Sequence, residues 1–307
     1  MKRAIIDGFG KGGFNTDLAP WDVPANTFTG LSNVRTHDGA IGNINCGYTT
    51  WYADLGGVSL DIIYCGAKGI DGLWATAQTN EIKTFDGSVL STGHTAEYWT
   101  STILTGVPVW NNYKDIPLYW SVINAGTPLT PIPWDATHDW DDIDGAGTKY
   151  RAGSIRAHKN FLFAMDIYEG AAPDYVTDRM PTIVHWSELA DPGFPPPNWS
   201  YADPTSLSGR IDLGQTPGAC IDGASLADDF IVYKSDGAWR FTFTRDEYVF
   251  RPTKIRAVPG IMSRDCVVEV EGLHYVMYDT DIYVTDGNSF QSLLDDRARK
   301  IFLALAD

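Results

Sequence analysis

Three Asp-Gly dipeptides constrain the fold of this chain more than any other feature. Asp86-Gly87, Asp236-Gly237 and Asp286-Gly287 each follow or split a short run of apolar and β-branched residues. Asp-Gly is a strong hairpin signal, because a tight type I′ turn needs two residues that tolerate positive φ. The pattern predicts antiparallel strands joined by tight turns. An aromatic share of 13% agrees with this, since aromatic side chains are enriched in strands.

The spacing of these turns predicts a repeat. Asp236 and Asp286 are 50 residues apart, and Asp86 and Asp236 are 150 apart, three times as far. The two missing turns should fall near positions 136 and 186, where Ile132 to Asp135 and Ile183 to Ser187 each combine a strand-like end with a turn former. A period of about 50 with several strands per unit is typical of a β-propeller. We therefore predict an all-β, degenerate β-propeller of about five to six blades. The alternative is that three turns fall in step by chance.

Two parts of the chain differ in character. Residues 1–50 form an irregular, glycine-rich and proline-rich arm, and residues 51–307 carry the predicted propeller. Aromatic residues are costly to leave in water, so the arm should dock on the propeller or on a neighbour. Two loops, 170–181 and 191–204, interrupt the repeat. The first carries Pro173, Asp174 and Pro181, and the second holds three consecutive prolines, which cannot lie in a central strand. The interface candidates are Phe14, Trp21 and Phe28 in the arm, and Phe194, Pro196 and Trp199 in the second loop.

The end of the sequence predicts a helix over Leu293 to Asp307, with Asp295 as its N-cap. The chain stops about one strand into the next repeat, and a propeller needs ring closure to remove its sheet edges. Either the arm supplies the closing strand, or the sequence is part of a longer protein.

Charge and cysteine content bear on partners and compartment. Lys and Arg number 23 against 39 Asp and Glu, a net charge of −16. Such a surface should repel nucleic acid, although acidity also serves solubility alone. Four cysteines lack ligand spacing, which favours free thiols in a reducing cytoplasm. We expect no signal peptide and no membrane span.

The sequence gives little support for catalysis. Gly-x-Ser-x-Gly and HExxH are absent, and we expect the six histidines to be surface or hydrogen-bonded residues. One acidic cluster is a weak candidate cation site, but Ile143 and Asp144 fall where a Ca²⁺ loop needs an oxygen ligand and a glycine. Its members are Asp139, Asp141, Asp142 and Asp144. Basic residues with interleaved aromatics between Arg240 and Arg264 suit an ordinary surface better than a nucleic-acid patch.

Four stretches in a fixed order carry a resemblance to a known family. They are Gly12 to Pro20 with Asn33-Val34-Arg35, His185 to Pro192 before three prolines, Phe230 to Lys234, and Gly260 to Arg264 with Asp281 to Gly287. They resemble the tail nozzle proteins of podoviruses, the tail tubular protein B-like components of the head-to-tail conduit. Family members usually continue well past residue 307.

The resemblance implies a structural role in the tail of a virion. Copies of the chain would form a ring, as in a homo-hexamer, below the portal and adaptor proteins, and would receive tail fibres or spikes. Double-stranded DNA would pass through during genome ejection without specific binding. The resemblance implies synthesis in the host cytoplasm, no catalytic residue and no cofactor.

Two other functions stay open. A carbohydrate-active or carbohydrate-binding propeller would use Trp and Tyr as stacking platforms and paired carboxylates as acid and base. A scaffold with protein partners only would have the same sequence features as the conduit protein. A conduit needs a channel between subunits, whereas an enzyme needs a pocket at the centre of one propeller.

Overall fold

The computed structural model describes the backbone of residues 34–37 and 40–43, and residues 55–67, 70–124, 126–171, 178–244, 249–255, 258–294 and 299. The chain divides into two units, Met1–Tyr52 and Ala53–Asp307. In the first unit, strands β1 (Val34–His37) and β2 (Ala40–Asn43) pair as an antiparallel hairpin. Phe14, Trp21 and Phe28 lie outside the described residues, as does nearly all of the predicted helix at the end of the chain.

The second unit contains five four-stranded antiparallel sheets within its described residues. Each sheet is a blade. Blade 1 has β3 (Asp61–Ala67), β4 (Ile70–Ala77), β5 (Glu81–Thr84) and β6 (Val89–Thr92). Blade 2 has β7 (Thr100–Leu104), β8 (Val107–Asn111), β9 (Leu118–Tyr119) and β10 (Thr130–Pro131). Blade 3 has β11 (Lys149–His158), β12 (Phe161–Gly170), β13 (Arg179–Trp186) and β14 (Gly209–Asp212). Blade 4 has β15 (Cys220–Leu226), β16 (Asp229–Lys234), β17 (Gly237–Phe243) and β18 (Phe250–Ile255). Blade 5 has β19 (Val267–Val270), β20 (Leu273–Met277), β21 (Ile282–Thr285) and β22 (Phe290–Ser292).

The strand order makes the second unit a β-propeller. In every blade each strand pairs with the next one along the chain, and the first strands of consecutive blades lie against one another, β3 on β7, β7 on β11, β11 on β15 and β15 on β19. The first strand of each blade is therefore the inner strand, and the fourth lies at the rim. The all-β propeller class predicted from the sequence is confirmed.

Apolar cores lie between consecutive blades. The core between blades 2 and 3 contains three fully buried tryptophans, Trp134, Trp140 and Trp199. The core between blades 3 and 4 is built on Phe163, which stacks on Phe230 at a centroid distance of 4.3 Å. Large flat side chains fill the wedge between two twisted sheets and bury 150–250 Å² each. This explains why the chain is rich in aromatic residues.

The repeat predicted from the Asp-Gly turns is wrong in detail. Asp86-Gly87 and Asp286-Gly287 join the third and fourth strands of blades 1 and 5, whereas Asp236-Gly237 joins the second and third strands of blade 4. The run near position 186 lies within β13. None of the three aspartates has positive φ, so the turns are not type I′. Instead, the carboxylate of Asp286 accepts hydrogen bonds from the backbone N–H groups of Asn288 and Ser289, both at 2.8 Å.

The proline-rich loop after β13 is anchored at its far end. The backbone N–H of Trp199 donates to Trp134 at 2.7 Å, and the indole is fully buried. Trp199 and the buried Pro196 therefore face the interior, whereas Phe194 is 65% exposed. Of the three interface candidates in this loop, only Phe194 has a side chain that a partner could contact. The described residues contain no helix that is long and apolar enough to cross a membrane.

Candidate functional site at the propeller axis

Charged side chains from the inner strands meet at the centre of the propeller. Arg156 in β11 donates to Asp222 in β15 through Nε to Oδ1 at 2.7 Å and Nη2 to Oδ2 at 2.6 Å. Its Nη2 also contacts Asp265, just before β19. Its Nη1 donates to the backbone carbonyl of Ser101 in β7 at 2.8 Å. One guanidinium therefore joins blades 2, 3, 4 and 5.

Asp222 is held on all sides. Its side chain is fully buried, and it accepts further hydrogen bonds from Ser154 Oγ at 2.7 Å and from the backbone N–H of Asp265 at 2.9 Å. Burial opposes ionisation, but the charge and hydrogen bonds of Arg156 outweigh it and keep the pKa of Asp222 below its ordinary value. Burial likewise works against the Arg156 cation, and Asp222 and Asp265 raise its pKa. Both groups stay charged at neutral pH.

Asp61, at the start of the inner strand β3, adds a carboxyl group to this charged cluster. Burial raises the pKa of its carboxyl, while a hydrogen bond from Ser101 and the charge of Arg156 act in the opposite direction and Asp265 adds to the rise. Its Oδ2 is buried without a hydrogen-bond partner among the described residues. All five blades thus place a polar group at the axis.

The axial cavity beside this cluster is small. It has a volume of about 240 Å³ and is lined by residues of β7, β11 and β15 together with Asp265 and Val267. Pockets for drug-sized ligands usually measure roughly 300–1,000 Å³. The lining residues are Ser101, Thr102, Arg156, Ala157, Asp222, Gly223, Ala224, Asp265 and Val267.

A second arginine crosses the axis. Arg264 precedes blade 5, yet its Nε donates to the Gly153 carbonyl in blade 3 at 2.9 Å, and its Nη2 lies 3.2 Å from Asp166. Its guanidinium also stacks over the ring of Tyr98, next to blade 2, at 4.1 Å. Contacts with blades that are not neighbours of blade 5 require the segment around Arg264 to run across the inner strands.

Asp166 is the carboxylate that receives this segment. Its side chain is fully buried. Its backbone has a φ of 58°, a left-handed conformation that Asp tolerates better than most residues. Arg179 donates to it twice, at 2.6 and 2.9 Å. Burial raises the pKa of Asp166, and Arg179 and Arg264 oppose the rise.

Three buried histidines serve as hydrogen-bonded packing residues. Tyr150 pairs with Nδ1 of His185, and Tyr233 pairs with Nδ1 of His274, both at 2.8 Å. His158 contacts Ser225 at 2.9 Å. Burial lowers the pKa of His158 to about 4 and that of His185 to about 3. These rings are neutral at pH 7, and each one links two strands.

The weak cation candidates predicted from the sequence do not converge. Asp139 accepts backbone N–H bonds from Asp141 and Asp142, and Asp144 accepts bonds from Ala146 and Thr148. Asp142 accepts from the Gly147 N–H, and Asp141 pairs with Arg151 and Lys149. The carboxylates stabilise local turns and ion pairs. No group of three or more His, Cys, Asp or Glu side chains suited to a metal ion occurs in the described part of the chain.

A larger groove lies at the rim between blades 3 and 4. It has a volume of about 670 Å³, and its walls include Trp186, Tyr201 and Phe250 with the basic residues Arg210 and Arg251. Arg210 stacks over Tyr201 at 3.9 Å and pairs with Glu169 at 2.8 Å. The groove is larger than the axial cavity, and its walls are partly aromatic.

Sequence reasoning missed the axial cluster. Arg264 fell in a group of basic residues treated as ordinary surface, and Arg156, Asp166 and Asp222 carried no motif. One weak signal was available: Ser154 and Arg156 are two apart on one strand and so share a face. Their common partner, Asp222, is 66 residues beyond Arg156 and 68 beyond Ser154.

Comparisons with known proteins give no family. No family model matches the sequence, and no curated protein matches it. Among solved structures, the chain is similar to a gluconolactonase from Xanthomonas campestris, with 12% identity over 72% of this chain and 71% of that one and a TM-score of 0.43. It is also similar to apo AztD from Citrobacter koseri, with 12% identity over 76% of this chain and 58% of that one and a TM-score of 0.38. The chain is also similar to YCF48 bound to D1 peptide, with 12% identity over 83% of this chain and 87% of that one and a TM-score of 0.35. At these identities and TM-scores the similarity carries no argument about function.

Proposed function

We propose that this chain is a structural β-propeller in the tail of a short-tailed phage, part of the channel through which the genome passes. The observation that carries the proposal is the pairing of Arg156 with Asp222 and Asp265 across the axis. A second set, formed by Arg264, Arg179 and Asp166, lies nearby. Together the two sets hold three arginines and three aspartates, so their formal charges balance. The centre of the propeller then serves as a rigid support for assembly.

The volume of the cavity at the propeller axis decides where the proposed channel would lie. A cavity of about 240 Å³ is far too small for double-stranded DNA, so DNA would pass between copies of the chain arranged in a ring. A net charge of −16 suits a wall that does not bind phosphates. The ordered resemblance to podovirus nozzle proteins supports the same role and adds portal, adaptor and fibre proteins as partners.

The test is the native mass of the full chain, alone and mixed with the portal–adaptor complex of its own phage. We expect a ring, or incorporation below the adaptor. The Phe194→Asp variant should weaken assembly if the proline-rich loop contacts a neighbour. Val122→Asp, at a site of similar exposure (57% against 65%), should not. A stable monomer that does not bind the portal–adaptor complex would overturn the proposal.

The rim groove favours a second candidate, a carbohydrate-binding propeller. Aromatic rings and a stacked arginine beside polar hydroxyls are the groups that bind sugars, and the groove has room for a small oligosaccharide at about 670 Å³. Calorimetric titration with a glycan panel tests it. Binding that is lost in Tyr201→Ala and kept in Val122→Ala would support this candidate, and an absence of binding across the panel would eliminate it.

A further inference from the structure

The rim groove between blades 3 and 4 has a floor that spans both blades. The Trp186 ring packs on the backbone of Gly209, its neighbour across the sheet, where a Cβ would lie 2.6 Å from the ring. The indole Nε1 donates to the Leu207 carbonyl at 2.9 Å, which fixes the plane of the ring. Trp186 also meets the Phe250 ring of blade 4 edge to face, at a centroid distance of 5.6 Å. The floor is therefore aromatic and fixed in place, as in small-ligand sites, which are lined mostly by apolar and aromatic side chains.

One wall of the groove is held in position by a shared carboxylate. Glu169 accepts hydrogen bonds from Arg210 Nη1 at 2.8 Å and from the Tyr201 hydroxyl at 3.0 Å, one on each oxygen. The guanidinium of Arg210 stacks over the Tyr201 ring at 3.9 Å. A ligand that enters the groove therefore meets a planar cation and an aromatic ring that are already in place, which lowers the entropic cost of binding.

Arg251 gives the groove an unpaired positive charge. It lies in β18 on the blade 4 side, its side chain is exposed, and no ion pair or side-chain hydrogen bond joins it to another described residue. The described residues that line the groove include Arg210 and Arg251 but no aspartate or glutamate. Because Glu169 balances Arg210, the charge of Arg251 remains, on a protein whose net charge is −16. Charge complementarity therefore favours an anionic ligand.

Volume and charge narrow the class of this ligand. The groove, at about 670 Å³, lies within the range of roughly 300–1,000 Å³ that is typical of small-molecule pockets. A phosphate group carries about −1.5 to −2 charges at pH 7, so the net charge of −16 repels it more strongly than a carboxylate with one charge. A carboxylate is also planar and matches a guanidinium through two parallel hydrogen bonds.

The groove also offers an acceptor for hydroxyl groups. Ser208 donates its hydroxyl hydrogen to the Ser200 carbonyl at 2.7 Å. The Ser208 oxygen therefore faces a ligand as an acceptor. Hydroxyl donors, apolar ring faces and a carboxylate occur together in an acidic sugar.

We propose that the rim groove binds an oligosaccharide whose sugar rings carry carboxylate groups, as in a uronic acid. Its rings stack on the aromatic floor, its hydroxyls donate to Ser208, and a carboxylate pairs with Arg251. The proposal rests on the second candidate function, carbohydrate binding, and names the class of sugar.

The test is calorimetric titration of the full chain with trigalacturonic acid and with its methyl ester, which keeps the rings and hydroxyls but lacks the charges. We expect the acid to bind at least about tenfold more tightly, because hydrogen bonds to charged groups are the stronger ones. Arg251→Gln should remove that preference and leave the affinity for the ester unchanged. The matched control is Lys254→Gln, which removes a charge from an exposed residue of the same strand outside the groove. This control should keep the preference for the acid.

The outcomes separate this proposal from carbohydrate binding in general. Equal affinity for the acid and the ester would overturn the acidic preference and leave carbohydrate binding in place. Absence of binding to both would overturn the proposal, and the neutral glycans of the panel would then decide whether the groove binds sugar at all. Tighter binding of a glutamate tripeptide or of galactose phosphate would assign the groove to an acidic peptide or to a phosphate instead. An equal loss of preference in Lys254→Gln would show that overall charge, and not Arg251, selects the acid.

Discussion

Arg156 and Asp222 form a bidentate ion pair between the inner strands of neighbouring blades, with N–O distances of 2.7 and 2.6 Å. The carboxylate is fully buried and the guanidinium nearly so, at 14% exposed. A pair in this position fixes the angle between blades 3 and 4, because guanidinium and carboxylate groups are planar and meet in one geometry.

We expect Asp222→Asn to lower the free energy of unfolding by about 3 kcal/mol, since breaking a buried pair leaves one charge uncompensated. Urea unfolding measures this. Asp265→Asn is the control, because the Asp265 side chain is 55% exposed and exposed pairs contribute about 0–1 kcal/mol. Equal losses for both variants would contradict the central role of Asp222.

Stability should fall as the pH drops from about 6.5 toward 4. The folded pKa values of His158 and His185, about 4 and about 3, lie below the unfolded value of about 6.5. The unfolded chain therefore binds more protons in this range, and unfolding becomes easier as the pH falls. His185→Asn keeps a polar atom near Tyr150 and cannot titrate. This variant should reduce the slope of the free energy of unfolding against pH by about 1.4 kcal/mol per pH unit. Chemical denaturation at several pH values measures that slope.

Gly153→Ala should destabilise the protein by about 1–3 kcal/mol, although alanine is the better residue in a strand. A Cβ at this position would lie 2.7 Å from Asp166 Oδ2 and 2.8 Å from Arg264 Nη2, so the segment that crosses the axis must shift. Gly126→Ala is the control, because the nearest atom to its Cβ is 3.9 Å away. Thermal unfolding of the two variants separates the steric effect at Gly153 from the effect on stability of replacing a glycine with alanine elsewhere.

The proline-rich loop provides a further pair of variants. Trp199→Ala should cost about 3–5 kcal/mol, because its indole fills the core between blades 2 and 3. Phe194→Ala, in the same loop but 65% exposed, should change stability by no more than about 0.5 kcal/mol. A large loss in Phe194→Ala would show that this side chain also packs within one chain.

Local sequence patterns were enough to predict strands, hairpins and the propeller class. The equal spacing of the Asp-Gly turns nevertheless came from turns at different places in their blades, since inner strands begin 39 to 71 residues apart. The histidines were expected to be hydrogen-bonded or at the surface, and His158, His185 and His274 are buried with hydrogen bonds. The acidic loop at 139–144 lacked the register of a Ca²⁺ site, and its carboxylates stabilise turns and ion pairs.

By itself, the sequence determined which residues form strands, because alternation, β-branched and aromatic content and turn formers act over a few neighbours. Only the tertiary structure decided which charges meet at the axis. Arg264 reaches Gly153 over 111 positions and Arg156 reaches Asp222 over 66, separations fixed by blade order and loop length. Burial was also decided by the tertiary structure. Trp199 and Phe194 share a loop, but Trp199 lies in a core because its backbone N–H donates to the Trp134 carbonyl, whereas Phe194 faces water.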